Sequence, residues 1–421
     1  MAKSNLIAGL DIGSGKITAV SAYMDQETGR LKVVSGVSIA CAGLKNGIVT
    51  DIRQVSTAVV NVLNQLEEKA QQELSGLYIA LRGEHLKSEV GHGTYNISRA
   101  DKEITADDIE RVISNASSIS LKSDHEIISV IPQGFSIDRQ RGISNPEGMD
   151  GSSLEVDVYI TTGLTSALNN LRKSINKMGY RIDGSFYGLM CLCENVLLKE
   201  EKELGAVLID LGGETTSIGI CVDGVLQYSK EFDFGCDLIT GDIANALHTP
   251  KKSAAKIKEQ YGLCFPKYNE EENEEEIKAP SLDGRTLNSF KRNMLLDVIQ
   301  PRMQDIFEMV RESIIESDLA DFISVAILTG GGSSLSGIES LASQVLGVKE
   351  IRASGVSRDL IEAEEEFFNP KYTTAISLLL YVSKREVLEQ KKESEITSKS
   401  PIVKWCKNCF KTILNSEIFG G

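Results

Sequence analysis

One pattern constrains this chain more than any other. An apolar strand ends in aspartate, turns on glycine and continues as a β-meander, and this happens twice. The first copy is 5–12 (NLIAGLDI), which turns at Gly13, Ser14 and Gly15 into 16–23 and a third strand over 31–40. The second is 206–210, ending in Asp210, followed by Leu211, Gly212 and Gly213 and strands over 215–222 and 225–234. Two copies point to an internal duplication, not to a solenoid. An amphipathic stretch over 53–73 predicts a helix, and strands alternating with helices predict an α/β protein.

Between the copies the texture changes. Residues 84–160 are short strand-like segments around one helical stretch (DDIERVISNASSI), which we read as an inserted module, with helix returning at 165–178. The run 270–276 (EEENEEE) reads as a solvated loop. Residues 285–317 read as a long helical stretch that Pro301 kinks or divides. A buried-type strand at 322–328 opens onto Thr329, Gly330, Gly331, Gly332, Ser333 and Ser334. Residues 384–400 are polar and read as a linker beginning as frayed helix.

Composition excludes several function classes. A net charge of −15 argues against nucleic acid as a partner. The chain has no apolar run long enough to span a bilayer, and its first residues are too soon broken by glycine for a signal peptide. Eight scattered cysteines suit reduced thiols in a cytosol. His85, His92, His125 and His248 have neither ligand nor triad spacing and read as packing or surface residues.

Three glycine loops follow strands: 11–17 (DIGSGKI), 210–216 (DLGGETT) and 329–335 (TGGGSSL). Glycine lets backbone amides approach phosphate oxygens with no Cβ in the way. Asp11 and Asp210, at the strand ends, can hold a hydrated magnesium ion beside them. A Walker A loop fails because Leu10 and Ile17 stand where glycine and a hydroxyl residue belong. A dinucleotide fingerprint from Gly13 fails at Thr18.

The tail, 401–416, is the other informative segment. On a helix, Ile402, Val403, Trp405, Cys406, Cys409, Phe410, Ile413 and Leu414 share one face, with Lys404, Lys407 and Lys411 opposite. An apolar face backed by lysines is the pattern of a helix lying in a membrane interface. Each buried apolar side chain there supplies up to ~1.5–3 kcal/mol, and each lysine about 1 kcal/mol near an anionic surface. Cys406 and Cys409 have no second pair nearby to complete a zinc site.

With these loops in place, the chain resembles the actin superfamily, and within it the FtsA cell-division proteins along its whole length. The segments carrying the resemblance are GLDIGSGKIT, GLKNGIVTDI, RGEHLKS, GCDLITGDIANAL with KIKEQYG behind it, TGGGSSLSGIESLA and the amphipathic tail. GLKNGIVTDI has no chemical role that its letters alone assign. The resemblance implies a two-lobed α/β fold with duplicated βββαβα cores. Lobe I would be 1–83, 161–195 and about 362–383, interrupted by an inserted FtsA-type (SHS2-like) subdomain at 84–160. Lobe II would be 196–235 and 303–361, with a small subdomain at 236–302.

The resemblance further implies ATP in the cleft. Asp11, Gly13, Ser14, Gly15 and Lys16 with Gly212, Gly213 and Thr215 would surround its phosphates. Asp210, with Asp11, would orient Mg through water. Gly331 with Gly332 would flank the adenine, with Gly330 and Ser333 beside them in the nucleotide site, and Lys258 matches the lysine of the family's AE-x-x-K segment. The glutamate usual before that lysine is Ala255 here. Implied partners are FtsZ, a second copy of the chain in a head-to-tail polymer, anionic membrane lipids, and later division proteins at the inserted subdomain. Arg302 and Arg292 are the candidate FtsZ contacts, and the implied location is the cytoplasmic face of the inner membrane at the division site. Glu214 is the nearest carboxylate to act on an attacking water, and slow or no ATP turnover is expected. An actin-like scaffold of a pilus or secretion system and a small-molecule kinase are the alternatives; neither calls for a lysine-backed tail.

Overall fold

Each strand–turn–strand copy forms the centre of its own mixed sheet. The computed structural model describes residues 5–118, 122–176, 179–266 and 275–396. In lobe I, β1 (Ile7–Ile12), β2 (Lys16–Met24) and β3 (Leu31–Ala40) form the meander. Helix α1 (Ile52–Ala70) then returns the chain to β4 (Gly76–Leu81), which lies parallel to β1. The start of α1 is set locally, because the Asp51 carboxylate accepts from the Arg53 and Gln54 amides. Its Val55, Val59, Val62 and Leu66 sit at helical spacing and are buried.

The chain next leaves lobe I for an antiparallel module: β5 (Leu86–Asn96), α2 (Ala106–Ser117), β6 (His125–Ile137), β7 (Gln140–Ile143) and β8 (Ser153–Leu164), in the order β5-β8-β6-β7. Thr105 and Asp108 cap α2 reciprocally. The module has its own core, centred on Ile104, Val112, Leu154 and Ile160. Helix α3 (Thr165–Asn176) and β9 (Gly184–Tyr187) return to lobe I, whose sheet reads β9-β4-β1-β2-β3 with a short edge pair at Ile361–Glu362.

After α4 (Gly188–Val196) and α5 (Lys199–Leu204), lobe II repeats the plan with β10 (Ala206–Leu211), β11 (Thr216–Val222) and β12 (Val225–Phe232). Helices α6 (Asp237–Ala246) and α7 (Lys251–Tyr261) precede a hairpin of β13 (Glu276–Pro280) and β14 (Leu287–Lys291). Then come α8 (Asn293–Glu316), β15 (Val325–Thr329), α9 (Ile338–Leu346), β16 (Glu350–Ala353) and α10 (Thr373–Ile396), and the sheet reads β12-β11-β10-β15-β16. The duplication holds at the level of register. Asp11 lies opposite Thr18 and beside Ala80 of β4, and Asp210 lies opposite Ser217 and beside Thr329 of β15. Helices α4 and α10 are tied together where the Asn195 amide donates to the Ser377 carbonyl at 3.1 Å.

Three sequence expectations are corrected. The stretch 285–317 is not all helix, because 287–291 is the second strand of a hairpin. Its turn carries Asp283 and Gly284, the latter at φ 70°, a local hairpin signal that the apolar spacing masked. Helix α8 also runs through Pro301 without ending. Leu295, Ile299, Met303, Phe307, Val310 and Ile314 keep one buried stripe across it, while Pro301 itself is exposed. Packing of that stripe outweighs one missing backbone hydrogen bond. Helix α10 continues to Ile396, so most of the polar stretch read as linker is helical. Of the glutamate run, 270–274 lie outside the described residues, and Glu276 already belongs to β13.

Candidate functional site

The loops after β1 and β10 are the same turn built twice. The Gly13 amide donates to the Lys16 carbonyl at 3.0 Å, and the Gly212 amide donates to the Thr215 carbonyl at 3.0 Å. They converge: a Cβ built on Gly15 or on Gly213 would meet the same Asp237 carboxylate oxygen, at 3.8 and 3.0 Å. Among the described residues, the amides of Ser14, Gly15, Gly213 and Glu214 donate to no protein group. Such free amides in facing turns suit an anion with several oxygens.

The third loop completes the cleft from β15. Gly330 has φ 78°, and a Cβ there would stand 2.2 Å from Asp210 Oδ1. Gly331 is open, with nothing within 4 Å of where its Cβ would be. Ser333 turns inward and donates to the Gly330 carbonyl at 2.8 Å. Behind this loop, Lys258 Nζ donates to the Cys236 carbonyl at 2.7 Å and stands 3.8 Å from Asp237. Lys16 spans the cleft mouth to Glu259 at 3.4 Å, with both side chains more than 60% exposed.

Three features went unassigned in the sequence. The first is the hairpin of GLKNGIVTDI, whose Asn46 and Gly47 both take the left-handed backbone of a two-residue turn, at φ 49° and 79°. Its Asn46 amide donates to Glu214 Oε2 at 2.9 Å and its Gly47 amide to Ser14 Oγ at 3.1 Å, so it fastens one phosphate-type loop to the other. One oxygen of Glu214 is therefore engaged in holding the lobes.

The second is Arg82, two residues past Ala80 at the end of β4. Its Nη2 donates to Asp210 Oδ2 and its Nε stands 3.4 Å from Asp11 Oδ1, with the arginine side chain only 12% exposed. Burial works against the guanidinium charge, but Asp11, Asp210 and Glu231 more than reverse this and hold it protonated. Burial raises the Asp11 carboxyl, Arg82 opposes the rise and Asp210 adds to it.

The third is Glu231 on β12, which accepts from Ser217 at 2.7 Å, from the Tyr187 hydroxyl at 2.9 Å and from the Gly83 amide at 3.3 Å. Burial pushes its carboxyl up to about 7 against those donors and Arg82. The letters RGEHLKS held the signal for Arg82; the parallel register of β4 beside β1 supplies its meaning.

These residues fit a nucleoside phosphate, through the free amides of the two turns and the open Gly331. For a divalent cation the donor types are right, and Asp11 Oδ1 is buried without a hydrogen-bond partner. The guanidinium of Arg82 already faces both carboxylates. Among the described residues, no group of three or more His, Cys, Asp or Glu is placed to hold a metal ion.

The remaining candidates lie elsewhere. Arg302 is 35% exposed and bound to Asp242 at 2.7 and 3.3 Å. Arg292 is 13% exposed, with its Nε on the Tyr261 carbonyl and its Nη1 on Glu275, so part of its guanidinium is engaged within the chain. The membrane-type residues 402–414 lie outside the described residues. His85 is buried, and burial pushes it down to about 4, which keeps it neutral.

Family models match in two places: the SHS2 domain inserted in FtsA at residues 83–162, and the cell division protein FtsA at 207–377. The cell division protein FtsA of Pseudomonas aeruginosa is 31% identical over 377 residues, 89% of each chain. Among solved structures, a PilM–PilN type IV pilus biogenesis complex aligns with TM-score 0.64 at 15% identity, covering 90% of this chain and 98% of that one. MreB5 of Spiroplasma citri bound to ADP aligns with TM-score 0.53 at 12% identity, covering 93% and 98%. Both structures share an actin-like fold with this chain.

Proposed function

The chain belongs to the FtsA family of cell division proteins, and on that premise we propose that it is an ATP-binding adaptor tethering FtsZ filaments to the cytoplasmic face of the inner membrane. The actin-like body supplies the nucleotide cleft. Gly13, Ser14, Gly15, Lys16, Gly212, Gly213 and Thr215 hold phosphates, Gly331 with Gly332 flanks the base, Gly330 and Ser333 stand beside them, and Lys258 braces the wall next to the base. Asp11 and Asp210, the carboxylates that would orient magnesium through water, both face the guanidinium of Arg82. The adaptor self-associates head to tail, meets FtsZ through the small subdomain that carries Arg302 and Arg292, and offers its inserted module to later division proteins. With one oxygen of Glu214 engaged by Asn46, hydrolysis is slow or absent; turnover on the order of 10 s⁻¹ would contradict the adaptor role.

The observation that carries membrane tethering is the sequence of the tail, whose eight apolar residues and three lysines from Ile402 to Leu414 would fall on two opposite faces of a helix. Among the described residues no helix is long and apolar enough to cross a membrane. Ordering the tail costs several kcal/mol of what burial supplies, so one copy binds reversibly and a polymer binds firmly. Co-sedimentation with anionic vesicles tests this, comparing the full chain with one ending at Glu395, with and without FtsZ. The full chain should pellet and carry FtsZ with it, and truncation should abolish both. If both forms stay in the supernatant, the tail is a packing helix and the tethering role is wrong.

A further inference from the structure

The two lobes are related by register, and the position equivalent to Arg82 in lobe II is Gly331. Arg82 lies two residues past Ala80, which pairs with Asp11; Gly331 lies two residues past Thr329, which pairs with Asp210. Lobe II leaves that position open, whereas lobe I fills it with a guanidinium that reaches both carboxylates. We propose that Arg82 is a built-in cation of the cleft, occupying the place of a divalent ion between Asp11 and Asp210 and lending its charge to the phosphates of a bound nucleotide. The inference rests on the cleft being the nucleotide site.

Four features support it. Arginine does not lose its proton in a protein, so this positive charge is permanent. Three carboxylates, Asp11, Asp210 and Glu231, act on it, and Asp210 is only 3% exposed. Removing the guanidinium would leave two buried carboxylates facing each other, which must then take up protons or a cation. The base of the side chain is also fixed. Gly83 has φ 113°, a Cβ there would meet the Asn46 carbonyl oxygen at 2.6 Å, and the Gly83 amide is held by Glu231. Arg82 Nη1 donates to no protein group among the described residues, which leaves a donor for a phosphate oxygen.

While Arg82 stands there, a divalent cation alone meets a like charge and gains little. A polyanionic nucleotide satisfies the arginine without needing the metal. The test uses the full chain and Arg82→Gln. First, thermal melting is followed with magnesium chloride alone against EDTA. The wild type should melt at the same temperature in both, and Arg82→Gln should melt higher with magnesium. Second, binding of a fluorescent ATP analogue is titrated in both buffers. The wild type should bind within about tenfold in EDTA and in magnesium, and the variant should lose more than about tenfold in EDTA and recover in magnesium. Equal magnesium stabilisation of wild type and variant, or equal loss of affinity in EDTA, overturns the proposal. Should Arg82→Gln fail to fold, Arg82→Lys and the wild-type arm decide: magnesium must still leave wild-type melting unmoved. If neither protein binds the analogue, the nucleotide reading falls, while the magnesium melting arm still judges Arg82.

Discussion

The two lobes build the same turn, with the same 3.0 Å hydrogen bond, yet present opposite surfaces to the cleft. In lobe I, Arg82 stands just past the strand beside the turn and brings a guanidinium to the cleft. In lobe II the equivalent strand, ending at Thr329, is followed by three glycines, and Gly331 is open. Duplication thus reproduced the backbone, while the residues just past one strand in each copy differ, one bringing a guanidinium to both carboxylates and the other leaving its position open.

The sharpest way to break this contrast is to fill the glycine wall. Gly330→Ala forces an alanine to φ 78° and drives its Cβ into Asp210, and should cost about 3 kcal/mol or more in urea denaturation. Its neighbour separates stability from binding: Gly331→Leu should change stability by only about 0.5 kcal/mol but weaken ATP by on the order of tenfold. If Gly331→Leu binds ATP as the wild type does, the open position is not a ligand surface.

The next effect is a pH dependence on the charged side. Glu231 holds its proton more tightly in the fold, at about 7, than its ordinary 4.5. Its contribution is therefore complete below pH 4.5 and is lost as the pH rises through 7. The wild type should lose up to about 3 kcal/mol relative to Glu231→Gln across that window, read from denaturant midpoints. Parallel curves for the two proteins would show that Glu231 is ionised throughout. The smallest effect belongs to the exposed tie across the mouth. Lys16→Ala should cost a few tenths of a kcal/mol, and less at high salt; a larger loss would make that pair a true latch.

Much of the architecture was legible because its causes are local. Strand periodicity, the glycines at 13, 15, 212 and 213, and the Asp51 cap each act over a few residues, and the strand-end aspartates stand where the letters put them. The hairpin at 276–291 was equally local in its Asp283–Gly284 turn, but an apolar spacing compatible with helix hid it. Pro301 marks no boundary, the division read as one alternative to a kink, because a buried stripe seven side chains long, from Leu295 to Ile314 with Ile306 included, carries the helix through it. Arg292 looked like a surface contact because nothing in its neighbourhood announces that Tyr261 and Glu275 will engage part of its guanidinium.

The sequence by itself determined the duplicated α/β plan, the inserted module, the glycine turns and the amphipathic tail, because each is written in periodicity and residue type over short spans. Only the tertiary structure decided what those parts do to one another. Arg82 and Asp210 are 128 positions apart, and Asn46 and Glu214 are 168 apart. A charge at a strand end is ordinary until a parallel neighbour and a second lobe close around it, and burial then makes its partner the strongest interaction within reach.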